Sequence, residues 1–145
     1  MSSSIPTACI QTESTVLPAP IATVWAKFRG FKLEAVAPGF VKSTEGDAAV
    51  GSTIKVTYKD GCVWEHQIIE LSDKKHTIAY NVVKADPSIT ATSVEGEIVF
   101  ERISDGEQTF MKWTTEFSNG AFCKFSTLCC RKSTISSYVS YFITR

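Results

Sequence analysis

From Thr53 onward the apolar residues fall at every second position. Ile54, Val56 and Tyr58 alternate with Thr53, Lys55 and Thr57, and Asp60-Gly61 then supplies a tight hairpin turn. In the next segment Trp64, His66 and Ile68 share one face, and Glu65 and Gln67 the other. Leu71 returns to the apolar face only if the strand slips by one residue near Ile69, which predicts a bulge there. The alternation continues through Ile78, Tyr80 and Val82, then through Val94, Ile98 and Phe100 with Gly96 among them. It ends with Met111, Trp113, Thr115 and Phe117. Polar turns at "SDKK", "KADPS" and "SDGEQ" separate these runs, so the pattern predicts five strands joined by hairpins, each with one apolar and one wet face.

The flanks have different periods. "ACIQTESTVL" is rich in β-branched residues and reads as a strand. Pro20 suits a first helical turn, Ile21, Val24, Trp25 and Phe28 follow at helical spacing, and Gly30 ends the helix. "KLEAVAPGF" reads as a second short helix that stops before Pro38. After Asn119-Gly120 the period returns to three-to-four, through Phe122, Phe125, Leu128, Ile135, Tyr138, Val139 and Phe142, which predicts one long amphipathic helix. Met1 to Pro6 reads as a disordered tail. The expected fold class is α+β: a single domain over residues 1–145 in which a curved antiparallel sheet of six to seven strands wraps around the long C-terminal helix. Two short helices follow the first strand.

Composition narrows the function classes. The 145 residues are 43% hydrophobic and 21% charged, enough to bury a core. With 15 basic and 15 acidic residues there is no basic surplus for a phosphate backbone, so nucleic acid is not an expected partner. The N-terminus lacks a signal-peptide core, and no run approaches the roughly 20 apolar residues of a membrane span. The five cysteines form no C-x-x-C pair. Adjacent Cys129 and Cys130 diverge around a helix, so we expect no metal site and read reduced thiols in a cytoplasmic protein.

One stretch resembles a nucleotide loop. In "TEGDAAVGSTIKVTY", four residues separate Gly46 from Gly51, and Ser52-Thr53 follow. The lysine of that pattern is missing, Glu45 and Asp47 would repel phosphate, and a strand follows where a helix is required. The stretch reads as a turn between strands, and no cofactor is expected.

The order of elements, with "TVLPAPIATVWAKFRGF", resembles the START/Bet v 1-like (SRPBCC) superfamily, whose fold is a helix-grip. The similar features are the strand ending in Pro-Ala-Pro, the helix bearing Val24-Trp25 and Phe28, and Arg29 to Phe31. "IIELSD" from Ile68 to Asp73, the strand with Tyr80 and the late strand with Trp113 complete the set. The resemblance spans nearly the whole chain and rests on the order of these features. Glu45, Gly46 and Gly51 match the family's glycine-rich loop between the second and third strands. "KLEAVAP" departs from it, because many members carry a tryptophan before that proline.

The resemblance implies a hydrophobic cavity between sheet and last helix, and a lipid, sterol, polyketide or similar small molecule as ligand. The implied lining is Trp25, Phe28, Ile54, Val56, Tyr58, Trp64, His66, Ile68, Ile78, Tyr80, Val82, Val94, Ile98, Phe100, Met111, Trp113 and Thr115. Phe125, Leu128, Cys129 and Tyr138 would face them from the helix. On residues alone the same set reads as a packed core. His66, on an apolar face, is the candidate for a ligand hydrogen bond or for general-base chemistry. His76, beside "SDKK", reads as a solvated turn residue. The leading expectation is a monomeric or weakly dimeric carrier. The alternatives are a polyketide cyclase or dehydratase using the same cavity, and a co-chaperone-type interaction module, which would need a large apolar surface patch.

Overall fold

The computed structural model describes residues 9–36, 39, 41–86 and 93–117. The predicted tail and the C-terminal helix, with Phe125, Leu128, Cys129 and Tyr138, lie outside the described residues. The order is β1 (Cys9–Leu17), α1 (Ile21–Phe28), α2 (Leu33–Val36), β2 (Val41–Glu45), β3 (Thr53–Tyr58), β4 (Val63–Ser72), β5 (Thr77–Asp86), β6 (Val94–Ile103) and β7 (Gln108–Phe117). All seven strands form one antiparallel sheet in the order β1-β7-β6-β5-β4-β3-β2. β2 to β7 are therefore a meander, and β1 crosses the whole chain to pair with β7.

The alternation read from the sequence becomes burial. Along β7, Thr109, Met111, Trp113, Thr115 and Phe117 are buried while Gln108, Lys112 and Glu116 face solvent. The register of β4 against β5 slips between Ile68 and Glu70, so Ile69 bulges outward at 46% exposure and Leu71 turns back to pack against the core. A second slip pairs Glu65 with Lys84 but His66 with Val82, which leaves Val83 outside and exposed. Both bulges bend the sheet where it curves around its apolar face.

The turns follow local chemistry. Gly61 takes a positive φ of 92°, and the Asp60 carboxylate accepts the Cys62 amide across the same hairpin. In the loop that resembled a nucleotide site, the Gly51 amide donates to the Ile68 carbonyl. The Ser52 hydroxyl bonds the Asp47 and Ala49 carbonyls. The groups that a phosphate would use are engaged in closing the loop.

Helix α1 packs over β6 and β7, and α2 lies against β2. Val24, Trp25 and Phe28 of α1 are buried, with the Phe28 ring 4.8 Å from that of Phe100 on β6. Arg29 holds Asp73, in the turn after β4, through Nε at 2.6 Å and Nη2 at 3.1 Å. The Trp25 indole donates to the same carboxylate at 2.8 Å. Arg29, first among these partners, keeps the Asp73 carboxyl below its usual range, and Trp25 adds to the effect. α2 is tied to β2 by the Thr44 hydroxyl, which donates to the Glu34 carboxylate. No helix among the described residues is long and apolar enough to cross a membrane, which says nothing of strands.

Candidate functional site

The concave face is an aromatic wall with a few polar atoms set into it. Register explains how the wall is built. Tyr80 on β5 lies opposite Gly96 on β6, and Gly96 lies opposite Thr115 on β7. The Tyr80 ring extends over Gly96: a Cβ there would sit 2.6 Å from Cε2 and closer still to Cζ and the hydroxyl. Absence of a side chain at Gly96 therefore lets the phenol lie across β6 and reach β7, where it accepts a hydrogen bond from the Trp113 indole at 2.9 Å. Burial pushes the Tyr80 hydroxyl up to about 12, against the opposing effect of Trp113, so the group stays a neutral phenol.

His66 packs edge-on to Tyr80, with ring centroids 4.9 Å apart, and beside Trp64 at 6.2 Å. Phe31, held in left-handed backbone with φ 54°, brings its ring to 5.5 Å from His66 and 5.4 Å from Tyr80. Burial drives the His66 imidazole down to about 3, only partly opposed by the Trp64 backbone beside the ring, which makes no hydrogen bond of ordinary geometry with Nδ1. The ring is neutral at physiological pH.

Tyr58, Trp64, His66, Tyr80, Val82, Val94, Trp113 and Thr115 line one small cavity, together with Leu33. Its volume, counted as space for the centre of a water molecule, is ≈ 10 Å³, about what a single water needs. Two polar atoms on its walls have no protein partner among the described residues: His66 Nδ1 and Thr115 Oγ1, on side chains each 3% exposed. Thr115 Oγ1 lies near enough to the Tyr80 hydroxyl to lower its pKa, yet makes no hydrogen bond of ordinary geometry with it. Buried polar side chains are nearly always paired, and two open ones on one cavity mark it out from a plain core.

The remaining residues of the expected lining divide in two. Ile54, Val56, Ile68, Ile78, Ile98 and Met111 are buried in the core around the cavity without lining it. Trp25, Phe28 and Phe100 form a separate aromatic group under α1. Leu33 and Phe31 belong to the site and were not read from the sequence. Both sit in the short link around α2, where four helical residues show no period. His76 is not a freely solvated turn residue: it is half-buried, with φ 53°, and stacks edge-on to Trp25 at 5.3 Å. No cluster of His, Cys, Asp or Glu suited to a metal occurs among the described residues.

A seven-stranded antiparallel sheet curled around an apolar face is the fold of the Bet v 1-like, or helix-grip, proteins, and comparison with solved structures shows it directly. No protein-family model matches the sequence, and no curated protein matches it. A putative uncharacterised protein from Bacillus thuringiensis is similar over 94% of this chain and 100% of its own, at TM-score 0.77 and 15% identity. Ginseng major latex-like protein 151 from Panax ginseng is similar over 94% and 95%, at TM-score 0.73 and 14% identity. Norcoclaurine synthase from Thalictrum flavum, in complex with dopamine and hydroxybenzaldehyde, is similar over 95% and 87%, at TM-score 0.71 and 15% identity. At these identities the likeness speaks to fold and leaves function to the site itself.

Proposed function

We propose that the protein binds a hydrophobic small molecule against the concave face of its sheet. The observation that carries this reading is the pair of buried, open polar atoms, His66 Nδ1 and Thr115 Oγ1, on the wall of one aromatic cavity. A plain core seldom leaves two such atoms without a protein partner, since an unpaired buried group costs about 1–3 kcal/mol. A ligand that pairs with them recovers that cost. Solved structures of the same fold hold small aromatic molecules, as norcoclaurine synthase does. A cavity of ≈ 10 Å³ is far smaller than the roughly 300–1,000 Å³ of a ligand pocket, so loading must push walls apart.

We read His66 as a ligand-binding group and not as a general base. A general base works best with a pKa near the operating pH, whereas His66 is held near 3. His66 suits hydrogen bonding as a neutral ring. Native mass spectrometry of the purified protein should show a bound species above the 15.9 kDa chain that is lost on denaturation. The neutral probe N-phenyl-1-naphthylamine should bind the stripped protein with a rise in fluorescence. Absence of both would sink the proposal.

A further inference from the structure

The described wall of this cavity carries no ionic group. Its lining is aromatic and aliphatic, with His66, Thr115, the Tyr58 and Tyr80 phenols and the Trp64 and Trp113 indoles as the polar side chains and no Lys, Arg, Asp or Glu among the described residues. We infer that the ligand's polar end is a neutral hydroxyl, and that the site discriminates against carboxylates of the same shape. The inference rests on the binding reading above and goes beyond it by fixing the chemistry of the ligand's head.

Three observations lead there. First, an ionised carboxylate taken into a buried site needs a cation or several donors, and leaving it unpaired is costly. Burial by itself keeps the imidazole neutral, so a carboxylate would have to bring a proton in with it. Second, the open atoms ask for a group that can both give and take a hydrogen bond. Thr115 Oγ1 can donate or accept, and a ring nitrogen of neutral His66 does one or the other according to tautomer. A hydroxyl matches either case, whereas a carboxylate only accepts. Third, the free space beside the two open atoms is about that of one water-sized group, so a hydroxyl enters there with less displacement of the walls than a two-oxygen carboxylate.

The test is competition against N-phenyl-1-naphthylamine at neutral pH with three matched probes: 2-naphthol, 2-naphthoate and 2-methylnaphthalene. We expect 2-naphthol to displace the dye at concentrations at least about tenfold lower than 2-naphthoate. It should also exceed 2-methylnaphthalene by about 2- to 10-fold, the size of one neutral hydrogen bond. Thr115→Val removes an open hydroxyl without changing shape much, so the variant should fold at least as well, as a urea melt will show. In it the preference for 2-naphthol over 2-methylnaphthalene should shrink. Equal or tighter binding of 2-naphthoate overturns the inference and leaves the binding reading standing. So does a preference for 2-naphthol that survives both in Thr115→Val and in His66→Phe. Failure of the dye and all three probes to bind overturns both.

Discussion

Gly96→Ala adds one methyl group to a solvent-shielded strand, and the structure makes that methyl expensive. The new Cβ would lie 2.6 Å from Tyr80 Cε2 and nearer to the hydroxyl end of the ring. Because Tyr80 is a stiff ring anchored on the opposite strand, it must swing off β6. Overpacking of a tight core costs roughly 1–3 kcal/mol. The displaced phenol also abandons the Trp113 indole N–H, a buried donor whose loss of partner adds about 1–3 kcal/mol. Against this, Ala is better than Gly within a strand by roughly 0.5–1 kcal/mol. The net expectation is a destabilisation of about 2–4 kcal/mol. Urea melts would show it as a fall of about 1–2 M in the midpoint, given slopes typical of small domains. The decisive control is the same change in a Tyr80→Leu background, where the obstacle is gone. There Gly96→Ala should be neutral or stabilising, so the two sites couple by about 2 kcal/mol or more. An equal cost in both backgrounds would refute the argument that Gly96 exists to let Tyr80 pass.

Two further expectations concern ionisable groups. Between pH 6.5 and about 3 the unfolded chain carries a proton on His66 that the folded protein refuses. Stability should therefore fall as pH drops through that window, by up to about 1.4 kcal/mol per unit, with no contribution above it. The slope for His66→Gln between pH 6 and 4.5 should be shallower by about one proton, and equal slopes would mean that His66 protonates in place. The folded Asp73 carboxyl is depressed by Arg29 and Trp25, so its contribution is present above the ordinary carboxylate value and fades as pH falls through the folded one. Asp73→Asn should lower the melting temperature slightly at neutral pH, less at high salt because the pair is exposed, and not at all once the wild-type carboxyl is protonated.

Much of this architecture is legible in the sequence because burial on one face leaves a period-two record. The bulge at Ile69 is the sharpest case, since a one-residue slip in phase between Ile68 and Leu71 was enough to locate it. β2 left no such record. Val41 and Thr44 are its buried residues, three apart, because its register breaks after Val41, and only pairing with β3 makes it a strand. The site was half legible for a related reason. Strand residues such as Trp64, His66 and Trp113 announce their face by alternation. Leu33 reaches the same cavity, and Phe31 the rings of His66 and Tyr80 on its wall, from a link whose direction is set by a left-handed residue and a single helical turn, and tertiary packing decides both. The open state of His66 Nδ1 and Thr115 Oγ1 depends on which neighbours miss them, and no linear pattern records that.

The pairing of β1 with β7 has a consequence for how a ribosome delivers this protein. Leu17 meets Thr109, and Cys9 meets Phe117, so the first strand to emerge must wait for roughly a hundred further residues before its partner exists. At ordinary translation speeds that wait is on the order of 5–20 s. During it β2 to β6 can zip up hairpin by hairpin, while Leu17, buried at the end, has no partner strand beside it. Docking of β1 on β7 is thus the late step that closes the sheet and ends the exposure of Leu17.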